Sequence, residues 1–225
     1  MKIRRIQYNI DYTHILTFRE EYRQAVLPYF GFENLRYGID NENTINESIR
    51  LIFMTETIAL FIRKEGITFL FEGDIADLKN QTGVIKFFWD IYEKIKNFKG
   101  YKKTNRHSLI VHAVEIMEKD KVDSILSDCP YFKLNPFGKL DEFATIYDFK
   151  NNEKSYKFHF GNYSEKDIKM HDLSPFKTEF NKELFGNLGL MCKLDVFEDC
   201  KATSFSKFKS LLSDAEGIIS SYKLM

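Results

Sequence analysis

The sequence predicts an α+β protein made of two βαβββα-like halves, with antiparallel sheets and helices packed on one face. Two observations lead to this fold class. Segments whose apolar residues alternate, as in strands, are interleaved with segments whose apolar residues recur at helical spacing. The order strand, helix, three strands, helix also occurs twice along the chain. With 11 glycines and 4 prolines in 225 residues, long elements joined by short turns are favoured.

The first half begins with a β-favouring strand over 2–10, followed by a helix over about 14–27. Residues 31–47 are polar, which predicts a loop. Three short apolar runs then predict an antiparallel meander at 49–54, 58–63 and 67–71. A helix closes this half and ends at Gly100, after lysines that suit the negative end of the helix dipole.

The second half repeats this order of elements. A strand at about 109–114 precedes a short helix that ends before Pro130. A hairpin turns at 150–153, and residues 161–183 predict a long loop. A last strand over 188–196 leads into a helical stripe over 205–222. These elements divide the chain into an N-terminal subdomain (1–100), a basic linker (101–107) and a C-terminal subdomain (108–225).

Charge and composition exclude several classes of protein. The 33 basic and 33 acidic residues cancel, which argues against a protein that coats nucleic acid. No stretch is long and apolar enough for a transmembrane helix, so we expect no membrane partner. The three cysteines form no C-x-x-C pair, which favours a reducing cytoplasm, and the composition is typical of AT-rich bacterial genomes. No nucleotide-binding loop or cofactor motif is present, so no cofactor is predicted.

Acidic residues collect before the last helix of each half. The first group is a weak metal-site candidate and contains Glu72, Asp74 and Asp77. The second group is the best catalytic candidate and contains Asp195, Glu198, Asp199 and Lys201. The order Asp199-Cys200-Lys201 resembles the D-x-K of nucleases with a PD-(D/E)xK core, in which acids hold Mg²⁺. Acids that cap helix N-termini explain both groups more simply, so neither a metal site nor an enzyme is favoured.

A basic strip with one tyrosine lies between the two halves. Basic side chains around a stacking aromatic are typical of contacts to single-stranded nucleic acid. The candidate contacts are Lys99, Tyr101, Lys102, Lys103, Arg106 and His107. A solvated linker is the simpler interpretation of the same segment.

The sequence favours a non-catalytic, cytoplasmic bacterial interaction protein, which acts as a subunit or adaptor in a larger complex. An aromatic-rich sheet face without helices is expected to meet a protein partner or a second copy of the chain. The alternative is an RNA- or DNA-binding or processing protein that contacts phosphates through residues 99–107.

Overall fold

The computed structural model describes residues 1–26, 28, 35–53, 57–80, 82–127, 142–170 and 182–221. The described strands are β1 (Lys2–Tyr12), β2 (Leu35–Asp40), β3 (Ser48–Phe53), β4 (Ile58–Arg63), β5 (Gly66–Glu72), β6 (Thr104–Ile116), β7 (Ala144–Asn151), β8 (Lys154–Ser164) and β9 (Leu188–Asp199). The described helices are α1 (Phe18–Val26), α2 (Ile75–Asn80), α3 (Thr82–Lys96), α4 (Lys119–Ser127), α5 (Glu165–Met170), α6 (Lys182–Phe185) and α7 (Phe205–Ser221).

All nine described strands form one antiparallel sheet, in the order β2-β3-β4-β5-β1-β6-β9-β8-β7. The mixture of helices and antiparallel strands confirms the α+β class. Strands from residues 1–100 occupy one side of the sheet and strands from residues 104–199 occupy the other. The central pair β1–β6 joins the two sides, so the chain has one continuous sheet where the sequence suggested sheets in the plural. That the two sides are a structural duplication stays a prediction.

The two longest helices, α3 and α7, pack on one face of the sheet, which we call the helix face. Strand residues that point to this face, such as Ile6, Tyr8 and Ile10 of β1, are almost fully buried. Trp89 of α3 and Phe208 of α7 both contact the ring of Tyr8, with centroids 6.0 and 4.9 Å apart. One hydrophobic core thereby connects elements from both sides of the sheet.

The opposite face of the sheet, here called the open face, is polar. It carries Gln7 and Asn9 of β1 and Lys193 and Asp195 of β9, all half-buried. The expectation of an open face rich in phenylalanine and tyrosine is wrong, because most strand aromatics alternate onto the helix face and form the core. One helix also departs from the predicted arrangement. Short α6 packs on the open face, where Phe185 meets Val114, Tyr163 and Met191.

Candidate functional site

The first acidic group does not form a shared site. Glu72 is buried and forms an ion pair with Arg5 across the β1–β5 ladder. Asp74 caps α2, because its Oδ1 accepts a hydrogen bond from the Ala76 amide at 3.0 Å, and its Oδ2 lies 3.4 Å from Arg4. Asp77 is exposed in the first turn of α2. The dipole and capping explanation therefore fits Asp74 and Asp77, whereas Glu72 is explained by its ion pair with Arg5. No group of metal-ligating side chains occurs among the described residues.

The second acidic group is split between the two faces and the end of β9. Asp195 lies on the open face and its Oδ2 is 3.2 Å from Lys193 Nζ. Glu198 points to the helix face, whereas exposed Asp199 accepts a hydrogen bond from Arg106 Nε at 2.8 Å. Lys201 is exposed just beyond the strand. Glu198, Asp199 and Lys201 line one open pocket together with Lys103 and Lys207, whereas Asp195 lies on the opposite face of the sheet. Glu198 and Asp199 are paired with Lys207 and Arg106, and no metal-ligating group forms among the described residues there.

A buried polar network surrounds His107 on the helix face. The hydroxyl of Tyr8 lies 2.9 Å from both His107 Nδ1 and Thr203 Oγ1, and His107 Nε2 lies 3.3 Å from Glu198 Oε2. Burial lowers the pKa of His107, although the neighbouring Glu198 carboxylate opposes this shift. Burial alone would raise the pKa of Glu198, but its hydrogen bond from Lys207 and the nearby His107 hold that pKa below its usual value.

His107 is therefore a structural residue and cannot contact nucleic acid in this fold, because its side chain is fully buried. Tyr101 is half-buried. Its ring packs 5.9 Å from that of Tyr12, and its hydroxyl lies 2.9 Å from Thr104 Oγ1. Residues 104–107 of the predicted linker belong to β6, which pairs with β1 and β9 on either side.

The remaining basic residues of the strip lie around the segment 13–17. Polar groups of this segment donate hydrogen bonds of 3.0 to 3.1 Å to the main-chain carbonyl oxygens of three lysines, namely Lys64, Lys99 and Lys103. Lys99, Lys102 and Lys103 are exposed, and Leu16, within the segment, is 89% exposed. We call Lys64, Lys99, Lys102 and Lys103 the lysine rim. None of its four side chains has an ion-pair partner among the described residues.

A polar row on the open face was missed at the level of sequence. Arg5, His112, Lys193 and His159 lie directly opposite one another on four neighbouring strands, beside a cavity of about 500 Å³. Its charges are balanced by Glu72 and Asp195. Burial lowers the pKa of His159, with a further lowering from Lys193. Polar residues at every second position of β1 and β9 were the signal for this row.

The strand β7 is an exposed outer strand of the sheet. It pairs with β8 on one side and has no strand partner on the other side among the described residues. Three large apolar side chains of β7 are exposed: Ile146 (58%), Tyr147 (49%) and Phe149 (41%). Phe149 stacks on Tyr156 of β8, with ring centroids 4.8 Å apart and planes nearly parallel. An exposed apolar outer strand is a template for pairing with another chain.

Cysteine chemistry offers no additional site in the described residues. Cys192 is buried on the helix face, and burial raises the pKa of its thiol to about 12. Burial also raises the pKa of Cys200, which opposes formation of a reactive thiolate. Cys129 lies outside the described residues. No described helix is long and apolar enough to span a membrane.

Comparisons with known proteins leave the family of this chain open. No protein-family model matches it, and no curated protein matches it. Among solved structures, it is similar to a rolling circle replication initiator protein from Geobacillus stearothermophilus. The two share 10% sequence identity over 88% of this chain and 74% of that chain, with a TM-score of 0.26. So weak a likeness supports no argument about fold or function.

Proposed function

We propose that this protein is an assembly protein whose copies join edge to edge through β7. The observation that carries the proposal is the exposed outer strand with its three exposed apolar side chains. Natural sheets shield such edges with charges, proline or covering segments, because an open ladder binds other strands. On β7 the two charged residues, Asp148 and Lys150, are instead of opposite sign and two positions apart.

That spacing is self-complementary in an antiparallel pair. When two copies of β7 pair about a two-fold axis at Phe149, Asp148 of each copy faces Lys150 of the other. Both ion pairs then lie on the same face, and the two Phe149 side chains are direct neighbours on the helix face. The alternative register centred on Asp148 places two aspartates opposite each other, which is unfavourable. The charges therefore favour a second copy of this chain in the Phe149-centred register.

The test reverses the sign of each charge singly and then together. We expect wild-type protein to show a concentration-dependent dimer in sedimentation velocity. Asp148→Lys and Lys150→Asp each replace two attractions with two repulsions, and should weaken the dimer about tenfold if each changed pair costs about 0.7 kcal/mol. The double variant Asp148→Lys/Lys150→Asp restores opposite charges in the same register and should recover wild-type association.

Asp120→Lys, on the exposed start of α4, is the matched control for a change in total charge. It should leave association unchanged. A wild-type protein that stays monomeric at high micromolar concentration would refute the assembly proposal. A dimer that both single variants leave intact would refute the β7 register alone.

A second candidate function, binding of single-stranded nucleic acid, is supported by the lysine rim. Residues 13–17 donate hydrogen bonds to the main-chain carbonyl oxygens of Lys64, Lys99 and Lys103 and thereby hold these lysines near one another. Lysines without ion-pair partners can neutralise phosphates and release counterions. This proposal does not include Tyr101 or His107.

For this candidate we expect a labelled 20-nucleotide RNA to bind in a salt-dependent manner in fluorescence anisotropy. Lys102→Glu/Lys103→Glu should remove two phosphate contacts, which lowers the slope of log K against log salt by about 1.4 for a single strand. Lys119→Glu/Lys121→Glu on α4 makes the same change in charge elsewhere and should bind as wild type. Absence of binding by micromolar protein at low salt would exclude this function.

A further inference from the structure

A groove of about 570 Å³ runs between α3 and α7, beside the end of α2 on the helix side of the molecule. Its apolar lining consists of Leu78, Ile85, Trp89, Phe205, Phe208 and Leu212. Four of these side chains are buried and form the floor, whereas Trp89 is half-buried and Phe205 is 39% exposed. The rings of Trp89 and Phe205 contact each other between α3 and α7, with centroids 6.4 Å apart.

The floor of the groove has a small void beneath it. This void, of about 10 Å³, is lined only by apolar and aromatic side chains, including Ile85, Trp89 and Phe208 of the groove itself. Its lining also includes Tyr8, whose hydroxyl lies 2.9 Å from both His107 Nδ1 and Thr203 Oγ1 in the polar network described above.

The edge of the groove is positively charged. Three lysines line it, Lys79, Lys86 and Lys209, against the single acid Glu216. Lys79 Nζ lies 2.9 Å from Glu216 Oε1, so these two charges cancel. Lys209 Nζ lies 4.4 Å from the centre of the Phe205 ring, and Lys86 is exposed with no ion-pair partner among the described residues. Two cations are thus left beside an apolar floor.

We propose that this groove binds an apolar anion, a hydrocarbon chain or ring that carries one carboxylate. The hydrocarbon would cover the floor beside the paired rings of Trp89 and Phe205, and the carboxylate would lie between Lys86 and Lys209. The volume is that of a small-molecule site, which typically measures about 300–1,000 Å³. A docked helix about 10–12 Å wide would fit for little more than one turn, so the groove suits a small ligand better than a partner helix.

The test uses the fact that Trp89 is the only tryptophan of the chain. Its fluorescence therefore reports on this groove alone. We titrate the full-length protein with dodecanoate, below the concentration at which it forms micelles. We expect a saturable change in Trp89 emission. Dodecylammonium, with the same chain and the opposite charge, should bind about tenfold more weakly, because it meets two cations instead of pairing with them.

Charge reversal separates this proposal from simple hydrophobic binding. Lys86→Glu/Lys209→Glu should weaken dodecanoate about tenfold and strengthen dodecylammonium, so that the preference of the groove is inverted. Both lysines are on the surface of helices, and an unchanged circular dichroism spectrum and melting temperature verify the fold. Lys2→Glu/Lys119→Glu, at exposed positions outside the groove, is the matched control and should keep the wild-type preference.

Three results would overturn the proposal. The first is no change in Trp89 emission with dodecanoate. The second is equal binding of the two amphiphiles, or a preference that Lys86→Glu/Lys209→Glu leaves unchanged. The third is tighter binding of an acidic amphipathic peptide of leucine and glutamate, which would make a partner helix the occupant. The outcome is independent of assembly through β7, because β7 is an outer strand of the sheet and none of the groove residues belongs to it.

Discussion

At the scale of single residues, His107 is held neutral in the core by burial. The imidazole bonds the hydroxyls of Tyr8 and Thr203, at 2.9 and 3.2 Å from Nδ1, and Glu198 lies beyond its other nitrogen. Because burial lowers its pKa in the folded protein, the unfolded chain binds the proton more readily. Stability from this residue is therefore complete above the unfolded pKa of about 6.5 and decreases as pH falls below it.

The substitution His107→Gln should alter the pH dependence of stability. At pH 7.5 the variant should unfold about 1–3 kcal/mol more easily than wild type, because buried hydroxyl groups lose a partner. At pH 5.5 the difference in the free energy of unfolding between the two proteins should be smaller. Only the wild type carries an imidazole at this site, so only the wild type loses stability as that group titrates. Urea unfolding at both pH values measures it. The carboxylate of Glu198 titrates below this window, because its pKa is lowered from 4.5. A difference that is identical at both pH values would contradict the prediction.

At the scale of elements, the contact between β7 and β8 depends on a glycine. A Cβ atom on Gly161 would lie 2.3 Å from the main-chain oxygen of Phe143 and 3.3 Å from Cα of Ala144. Both of these atoms are backbone and cannot rotate away as a side chain would. The start of β7 therefore approaches β8 more closely than any residue with a side chain allows.

Gly161→Ala should accordingly destabilise the protein by about 1–3 kcal/mol, the usual cost of forcing an extra carbon into a packed site. Gly217→Ala, the same chemical change within α7, meets no atom within 4 Å and should stabilise the protein by about 0.5–1 kcal/mol through helix propensity. Thermal unfolding of the two variants and wild type measures both effects. A Gly161→Ala protein as stable as wild type would show that β7 can move away from β8.

The same scale shows how much of the fold could be predicted from the sequence. Strongly periodic segments such as those of α3, β9 and α7 were recognised, because their apolar residues alone decide their type. β2 was predicted as loop, since Gly38 and its polar neighbours give no alternation, and only pairing with β3 makes it a strand. α1 begins at Phe18 rather than near 14, because residues 13–17 bond main-chain groups far along the chain.

For the candidate sites, the sequence shows which residue types are present but not which face of the sheet each side chain occupies. The basic strip from 99 to 107 looked uniform along the chain. In the fold, Lys102 and Lys103 are exposed while His107 is buried. The strand β6 begins at Thr104, and the alternation of side chains along this strand places His107 in the core. The groove between α3 and α7 was beyond the sequence for a different reason. Its two walls lie more than a hundred residues apart, and no local pattern shows that Trp89 and Phe205 meet.

At the scale of the whole molecule, the 33 basic and 33 acidic residues are unevenly distributed. Some of them form ion pairs, and others leave a local excess of positive charge. Ion pairs such as Arg5–Glu72 and Lys193–Asp195 neutralise the open face. The lysine rim and the groove keep cations without acidic partners in the described part of the chain. β7 carries one charge of each sign, which suits a copy of itself. Net neutrality thus coexists with two positively charged surfaces, the lysine rim and the groove, and with one strand that carries both signs.

The central position of β1 has a consequence for synthesis on the ribosome. β1 lies between β5 and β6, and the last residue of β6 follows Tyr12 by about a hundred positions. At about 5–20 residues per second, β1 waits roughly 5–20 s before its second neighbour has been translated. During that time its isoleucines and tyrosines have no complete core to enter. Nascent chains of this protein are therefore expected to need the protection of a chaperone until β6 has emerged.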